Sequence, residues 1–521
     1  MAEAIPVSFY PLDGMWTVQS ALSIPNGASP DMVNCQVFNG YLRKRPGYIQ
    51  FGAASPALPG VLLGLYSTQD VEDGTHIYAA WAQGIAKYNE ATKAWDICTG
   101  PVLTGSNDKL FSWDTSQNSV VFSRGKDQVM RVPFNLTYAI LNANCPPALY
   151  LCRFADRLFL GSTVEGGTTR GFRVRRCVAN DHTDWVGVGS GFHDLTETPH
   201  QVRAMKKLGT RLAVYTIRNV HIGTRTGIPG APVGFEPALL GVGMLSGHTL
   251  KDIDELHVFL SNHGFMQFNG SQIAAIDLQL GDAIASTFNA SGIDRNFSEV
   301  MFDSHEYVTF LCTGASPQPD TAWVYHWSRQ AWYPWQVDGP TCSTVHRLDF
   351  SPTIDSLIGT IDEQNWEFDS RVMQKTYPAM LTGDKDGKVY QWSAQYSSDA
   401  GRPIFTRWTS RDFTGDDLGQ QSLAQVSMAG QQITLKRLEF DYLSGSPFTL
   451  NFYFSTNGGV TWDGPHPVVR PGESGGLLTG DLPYQVTGNK IRFKFEHTSA
   501  TESWQIAKFT LWFERKGMIR N

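Results

Sequence analysis

Three short stretches of the sequence resemble parts of catalytic or metal-binding motifs, and each lacks a residue that its chemistry needs. Gly383–Tyr390 (GDKDGKVY) begins like a calcium loop, but it lacks the third acidic ligand and the late glutamate of an EF-hand. Ser304–Tyr307 (SHEY) has no second histidine at the helical spacing, which excludes a zincin. Gly189–Gly191 does not complete a G-x-S-x-G nucleophile elbow. We therefore expect no metal, no cofactor and no enzymatic activity.

A fourth stretch, Ser455–Trp462 (STNGGVTW), nearly matches the Asp box of sialidases, S-x-D-x-G-x-x-W. Asn457 replaces the aspartate, and Gly459 occupies the glycine position of the motif. The box is a hairpin turn rather than a catalytic site, even in the enzymes that have it. The stretch therefore predicts a tight turn.

Charged and aromatic runs are candidates for binding. Two basic runs, Arg170–Cys177 (RGFRVRRC) and Ala204–Arg211 (AMKKLGTR), could contact phosphates or an acidic partner, or they could be the solvated faces of strands. The densest aromatic stretch could stack on sugars, although packing in a core is the favoured interpretation. Its aromatic residues are Trp323, Tyr325, Trp327, Trp332, Tyr333 and Trp335.

The composition favours a large protein of strands and turns. The chain has 521 residues, of which 41% are hydrophobic, 17% charged and 12% aromatic, with 50 Gly and 27 Pro. Such a length predicts several domains, or one large repeat fold with an accessory domain. The net charge of -7 argues against nucleic-acid binding by the chain as a whole. Because residues 401–521 hold 13 basic and 11 acidic residues, the excess of acid lies in the first 400.

The cysteine pattern and the N-terminus bear on where the protein is made. The seven cysteines are odd in number and include no Cys-x-x-Cys, which predicts reduced, buried thiols in a protein made in a cytoplasm. The N-terminus lacks a basic region followed by an apolar one, and we find no long apolar run. We expect no membrane span.

Loosely repeated hairpins fill the middle of the chain. Short apolar or alternating runs are separated by Gly, Asn, Asp and Pro, and the best helical candidate is Gly281–Ile293. Hairpins that end in an aromatic residue, at a spacing of roughly 40–50 residues, are typical of β-propeller blades. A sandwich or an irregular β-meander is the alternative. The candidate hairpins are His76–Ile97, Asn118–Val132, Glu255–Ile276, Thr321–Val337, Asp355–Asp369 and Ala379–Ser393.

The last part of the chain alternates with a period of two, which is typical of a two-sheet sandwich. In Phe448–Ser455, for example, every second residue is apolar, and Lys490–Ser499 repeats the pattern. The sequence therefore predicts an all-β protein with an extended N-terminal arm (1–55), a β-propeller-like body (56–400) and a C-terminal β-sandwich (401–521).

The segment Ile24–Tyr48 (IPNGASPDMVNCQVFNGYLRKRPGY) resembles the N-terminal signature of tail nozzle or tail hub proteins of short-tailed (podovirus-type) bacteriophages. These are also called packaged-DNA stabilisation proteins. Arg153–Trp185, Leu260–Gly270 and Phe452–Trp462 also fit the family. The C-terminal sandwich departs from some relatives and leaves the subfamily open. The signature residues are Pro25, Gly27, Asn34, Gly40, Arg45 and Gly47.

The resemblance implies a structural virion protein that forms a homo-hexameric ring below the portal and the adaptor (head-to-tail connector) ring. The ring would retain the packaged genome and pass it on ejection, with double-stranded DNA moving through the channel without sequence-specific binding. Tail fibre or needle proteins are further candidate partners. The protein would assemble in the host cytoplasm and reside in the tail of the virion.

Two expectations follow for the arm and the body. The arm could pair with a neighbouring subunit or with the ring above, and Arg43, Lys44 and Arg45 could meet acidic partner surfaces. The acidic body could line the DNA passage, because like charge prevents adhesion.

Two alternatives stay open. The chain could be a receptor-binding tail protein whose C-terminal sandwich recognises host surface glycan. It could also be a propeller glycoside hydrolase, which would need two carboxylates about 5–10 Å apart.

Overall fold

Short strands joined by tight turns make up almost all of the regular structure, as a chain rich in turn-forming residues favours. The computed structural model describes residues 4–52, 57–72, 74–196, 199–349, 376–418 and 431–515. The helical segments of these ranges are short 3₁₀ helices, at Gly247–Thr249, Leu278–Leu280, Ala290–Arg295 and Gly415–Leu418.

The helix predicted over Gly281–Ile293 is wrong. Turns occupy its first half, and a 3₁₀ helix begins only at Ala290. Gly281 has a φ of 51°, and the Asn289 side chain accepts a hydrogen bond from the Ser291 amide. Such local side-chain bonds compete with an α-helix and favour turns.

The N-terminal arm contributes five short strands. They are β1 (Ile5–Phe9), β2 (Met32–Val33), β3 (Cys35–Phe38), β4 (Tyr41–Lys44) and β5 (Gly47–Gln50).

Among the described residues, six four-stranded antiparallel sheets, with strands in chain order, form blades of a β-propeller. Four strands of an eleven-stranded sheet, which continues into the C-terminal region, form a seventh blade. Blade 1 contains β6 (Leu62–Gln69), β7 (Thr75–Trp81), β8 (Gly84–Asn89) and β9 (Ala94–Ile97). Blade 2 contains β10 (Ser112–Ser116), β11 (Ser119–Ser123), β12 (Met130–Val132) and β13 (Ala139–Ile140). Blade 3 contains β14 (Ala148–Phe154), β15 (Arg157–Glu165), β16 (Thr168–Arg176) and β17 (Gly191–Asp194).

The next three blades repeat this plan. Blade 4 contains β18 (Val202–Leu208), β19 (Arg211–Thr216), β20 (Asn219–Arg225) and β21 (Val233–Leu240). Blade 5 contains β22 (Lys251–Ile253), β23 (Leu256–Ser261), β24 (Gly264–Phe268) and β25 (Ile273–Ala275). Blade 6 contains β26 (Phe297–Met301), β27 (Glu306–Leu311), β28 (Thr321–His326) and β29 (Ala331–Gln336).

The seventh blade joins distant parts of the chain and closes the ring. Three of its strands are β30 (Pro340–Asp349), β31 (Thr376–Asp384) and β32 (Val389–Ser393). The arm supplies the fourth: β5 pairs antiparallel with β32, and Tyr48 lies opposite Trp392. The innermost strand β30 packs against β6 of blade 1. The arm therefore helps to close the propeller.

The C-terminal region forms two facing sheets. Its strands are β33 (Ser398–Asp399), β34 (Arg402–Thr409), β35 (Phe413–Thr414), β36 (Ile433–Ser444), β37 (Phe448–Ser455), β38 (Asp463–Arg470), β39 (Glu473–Gly488), β40 (Lys490–Ser499) and β41 (Gln505–Arg515). One sheet has the order β3-β4-β41-β36-β39, with β1 also on β41. The other contains β34, β40, β37 and β38, and β2 pairs with β34. Both sheets therefore include strands of the arm.

Alternating apolar side chains of the two sheets meet in the core of the sandwich. Phe452, Phe495 and Phe509 are fully buried, and Trp408 stacks on the ring of Phe509 with centroids 5.5 Å apart. The period-two pattern places these residues on one face of each strand, and burying them is the main favourable term in folding.

The predicted all-β fold class, with a propeller body, an arm and a C-terminal sandwich, is confirmed. Five of the six candidate hairpins coincide with strands of blades 1, 2, 5, 6 and 7. The sixth, Asp355–Asp369, lies outside the described residues. All seven cysteines are buried and free, as predicted.

Candidate functional sites

The arm crosses the seam between propeller and sandwich, and Asn34 lies at the crossing. Its φ of 54° is a left-handed conformation that asparagine tolerates better than most residues. Its Nδ2 donates to the carbonyl of Phe405 (2.8 Å) in the sandwich. Its Oδ1 accepts from the amide of Gln336 (2.7 Å) in blade 6 and from Arg45 Nε (3.0 Å). One side chain thus connects the arm, a blade and the sandwich.

Arg45 is the most buried cation of this region. Its side chain is 2% exposed and binds Asp399 through two parallel hydrogen bonds of 2.9 and 2.5 Å. It also donates to the carbonyl of Gln336 (3.0 Å). A buried guanidinium needs such a complete set of acceptors, because an unpaired charge in the interior is costly.

Lys44, the neighbour of Arg45, is held by backbone carbonyls of the sandwich. Its Nζ donates to Ser499 (2.5 Å) and Glu502 (3.2 Å), in the turn between β40 and β41. Burial, together with the nearby charge of Arg45, lowers the pKa of Lys44 to about 8.

Glu306 of blade 6 is a buried carboxylate that the arm helps to satisfy. It accepts hydrogen bonds from Gln36 (2.8 Å to each oxygen), from Ser304 Oγ (2.6 Å) and from the hydroxyl of Tyr333. Arg43 Nε in turn donates to Gln36 Oε1 (2.8 Å). Burial raises the pKa of Glu306, and its hydrogen-bond donors oppose that shift. We call Asn34, Gln36, Arg43, Lys44, Arg45, Glu306 and Asp399 the arm junction.

Two signature glycines lie where the backbone approaches other chain segments closely. A Cβ at Gly47 would lie 2.3 Å from the carbonyl oxygen of Ser398, and one at Gly27 would lie 2.1 Å from that of Tyr10. Asn39 and Gly40 both have positive φ, 47° and 84°, as a type I′ turn between β3 and β4 requires.

The structure changes how the arm is understood. Strands of the arm pair with blade 7 and with both sheets of the sandwich, which explains the order of the arm. Pairing with a neighbouring subunit or with the ring above stays a prediction. Contact of Arg43, Lys44 and Arg45 with a partner stays a prediction, but each has contacts inside the chain, and Lys44 and Arg45 are buried. The sequence did not reveal the contacts of Lys44 and Arg45, because most of their acceptors lie far along the chain.

The basic run Arg170–Cys177 lies mainly on β16, the third strand of blade 3. Arg173 pairs with Asp194 (2.7 Å) and with Glu165 (2.9 Å), and Arg175 pairs with the same glutamate (3.0 Å). These arginines are thus neutralised within the blade, which favours a structural role for the run.

The basic run Ala204–Arg211 lies mainly on β18, the innermost strand of blade 4, and faces a different environment. Lys206 and Lys207 line a cavity of about 550 Å³ at the centre of the propeller, to which all seven blades contribute. Arg153 of blade 3 and Lys251 of blade 5 line the same cavity. We call these four residues the cation arc.

Carboxylates flank the cation arc on both sides and are already bonded. Asp114 of blade 2 accepts from the amides of Arg153 (2.5 Å) and Thr115 (2.7 Å). Glu299 of blade 6 accepts from Lys251 (2.8 Å) and from Ser343 Oγ (3.2 Å). The sequence could not locate this arrangement, because the residues come from five separate blades.

The motif-like stretches are turns and core. Asp384 accepts from the amides of Asp386 and Lys388, and Asn457 Oδ1 accepts from that of Thr461, as in Asx-type turns. The aromatic stretch is mostly core, as favoured above: the buried residues are Trp323, Tyr325, Trp332, Tyr333 and Trp335. Within the described ranges, no group of three His, Cys, Asp or Glu could hold a metal, and no helix is long and apolar enough to cross a membrane.

A serine, a histidine and a glutamate lie in line between blades 1 and 7. Ser67 Oγ is 2.9 Å from His346 Nδ1, whose other ring nitrogen is 3.8 Å from Glu90 Oε1. The longer distance exceeds a hydrogen bond. The amide of Ser67 donates to Thr344 Oγ1 (3.2 Å), so it is not free to stabilise an oxyanion. The arrangement is better explained as packing between the blades.

Among known proteins, some solved structures resemble the chain, and the resemblance is weak. No family model and no curated protein matches the chain. BamB from Moraxella catarrhalis shares 9% identity at a TM-score of 0.34, over 75% of this chain and 98% of its own. An exo-beta-1,3-galactanase from Phanerochaete chrysosporium shares 10% sequence identity at a TM-score of 0.27. The match covers 89% of this chain and 100% of the galactanase chain. The extracellular domain of a putative hybrid two-component system from B. thetaiotaomicron shares 12% sequence identity at a TM-score of 0.37. The match covers 83% of this chain and 47% of that domain's chain. At such scores the fold class rests on the strands described above.

Proposed function

We propose that the protein is the tail nozzle or hub of a short-tailed bacteriophage, a structural virion protein without enzymatic activity. In this role six copies surround a passage for double-stranded DNA below the portal and adaptor rings, retain the packaged genome and release it on ejection. The protein is made in the host cytoplasm and resides in the virion tail.

The observation that carries the proposal is the structural role of the signature residues. Asn34, Gly40, Arg45 and Gly47 each meet a demand of the arm junction: a side chain that bridges three elements, a turn, a buried ion pair and a close backbone approach. Each of these four positions therefore has a physical reason for its residue type. It supports the family resemblance on which the proposal rests.

The size of the propeller cavity bears on where DNA would pass. A volume of about 550 Å³ is that of a small-molecule site. A duplex therefore needs a passage between subunits, which favours a ring of several copies. The acidic excess of the first 400 residues suits such a passage.

The mass and symmetry of the purified protein test the proposal. We expect six-fold rings in negative-stain class averages and a hexameric mass by light scattering, either for the protein alone or after addition of the portal–adaptor complex. A stable monomer or trimer that ignores that complex would contradict the nozzle assignment.

Receptor binding is the second candidate, and one feature of the sandwich favours it. Tyr453 and Trp462 are half-buried on its surface, and Lys494 Nζ lies 4.5 and 5.0 Å from their ring centroids. Aromatic rings beside a cation could hold a sugar. Binding of the full-length protein to host cells, lost in Trp462→Ala, would support this function. The hydrolase alternative has weaker support, because the cavity carboxylates Asp114 and Glu299 are already bonded.

A further inference from the structure

We propose that the central cavity of the propeller binds a small phosphate-type oxyanion at the cation arc. The proposal is independent of the tail function. It starts from a basic run, Ala204–Arg211, that the arm junction and the DNA passage do not use.

The cavity has the dimensions of a ligand site. Its volume of about 550 Å³ lies within the usual range for small-molecule sites, roughly 300–1,000 Å³. Its walls come from the innermost layer of all seven blades, so packed strands fix the positions of the lining residues. Such a wall preorganises the site, which lowers the entropy cost of binding.

The charges of the cavity are unbalanced. Arg153, Lys206, Lys207 and Lys251 give four positive charges, against the two negative charges of Asp114 and Glu299. Of the four cations, only Lys251 forms an ion pair within 4 Å among the described residues, with Glu299. Three cations on two adjacent blades therefore remain available to an anion.

Lys206 is the cation whose position argues most for an anionic ligand. Burial lowers its pKa, and the charge of Lys251 acts in the same direction, while Cys152, Asp252 and Glu299 oppose the shift. Lys206 is half-buried, and an ammonium so placed beside a like charge is unfavourable, which Asp252 and Glu299 offset only in part. A bound oxyanion would supply the remaining counter-charge.

The surroundings of the cation arc favour a phosphate-type ligand over a metal or an apolar molecule. Hydroxyl groups of Ser112 and Thr344 line the cavity, and each can donate a hydrogen bond to an oxyanion. Ammonium and guanidinium groups with hydroxyl donors are the groups with which proteins commonly bind phosphate.

An adjoining cleft offers a route of entry. Arg153 and Lys207 also line this second cavity, of about 840 Å³, between blades 3 and 4. Arg211 and Arg225 also line it, with Asp156 as its acidic residue. Clustered positive charge raises the local concentration of anions and speeds their association.

Isothermal titration of the full-length protein with pyrophosphate tests the site. We expect saturable binding by the wild type and a loss of affinity of at least about tenfold in Lys206→Met, which keeps the length of the side chain and removes its charge. Lys206→Arg should restore much of the affinity. The matched control is Lys385→Met, because Lys385 is exposed, pairs with Asp386 and lies outside the cavity.

Three results would overturn the proposal. The first is no binding of pyrophosphate by the wild type. The second is equal affinity of Lys206→Met and the wild type, with both folded by near-ultraviolet circular dichroism. The third is binding of a short DNA duplex of mixed sequence but not of pyrophosphate, which would assign the cations to a surface contact with nucleic acid.

Discussion

The arm junction and the cation arc are both rich in positive charge, but they differ in how completely their cations are paired. At the arm junction Arg45 has a carboxylate partner and Lys44 has two carbonyl acceptors. In the central cavity Lys206 has no ion pair within 4 Å among the described residues, and its neighbours include Lys251. Complete pairing is typical of a structural joint, whereas unpaired cations in a cavity are typical of a binding site.

The difference follows from the location of each cation. The arm junction lies where three elements pack together, so acceptors surround its side chains. The cation arc lies at the ends of innermost strands, which converge on open space. Four predictions test this contrast, beginning with the largest expected effect.

Acidification should destabilise the protein in both regions. Burial lowers the pKa of His248 and His257, near the cavity, and of His497, near Lys44, to about 4. Between pH 6.5 and 4 the unfolded chain therefore binds more protons than the folded one, and the free energy of unfolding falls as pH falls. Each group contributes at most about 3 kcal/mol.

Urea unfolding at a series of pH values measures this loss, and His257→Gln should reduce its slope. A free energy of unfolding that does not change between pH 6.5 and 4 would contradict the prediction.

Replacing Arg45 by Met should destabilise the fold strongly. The change leaves Asp399 without its bidentate partner, and breaking a buried pair costs about 3–5 kcal/mol. The control is Lys385→Met, whose ion pair with Asp386 is exposed and therefore contributes little to stability. Equal losses for the two variants in denaturant unfolding would mean that the arm junction is no tighter than a surface pair.

Glu306→Gln should cost less, about 2 kcal/mol, because the amide replaces an acceptor oxygen with a donor that faces other donors. Glu72→Gln, an exposed change, is the control. The loss of unfolding free energy is measured as a shift of the denaturant midpoint at an unchanged m-value. An unchanged midpoint would mean that Gln36 and Tyr333 find other acceptors.

The smallest expected change in unfolding free energy comes from replacing one lysine in each region, and its sign should differ between the two. Lys44→Met should destabilise by about 1–2 kcal/mol, because two partly buried carbonyls lose their donor. Lys206→Met should be neutral or stabilising by up to about 1 kcal/mol in phosphate-free buffer, because it removes a half-buried cation whose pKa burial lowers. Destabilisation of similar size in both variants would show that the lysines have equivalent environments.

Short patterns in the sequence predicted the parts of the fold that strands and hairpins define. The alternation around Phe452 and Phe495 revealed the sandwich, because burial of one strand face leaves a period of two. Loose hairpins revealed the propeller. Its seven blades could not be counted, because the copies share no fixed motif and the last blade takes β5 from the arm.

The sites could be predicted less well, since they depend on contacts between distant segments. Arg43, Lys44 and Arg45 form a basic run that is typical of a surface, and only the folded chain brings Asp399 to Arg45. The run containing Lys206 and Lys207 lines a cavity, and its contact with phosphates or an acidic partner stays a prediction. Its partners Arg153 and Lys251 carry no signal that connects them in sequence.

Closure of the propeller by β5 has a consequence for synthesis. Tyr48 leaves the ribosome before its partner Trp392 exists, and about 340 residues separate them. At roughly 5–20 residues per second, the edge of β5 waits for tens of seconds. Translation that stops short of Trp392 therefore leaves β5 without its partner strand in blade 7. The seventh blade can be completed only by a chain long enough to include both β5 and β32. A truncated chain cannot close the propeller in this way.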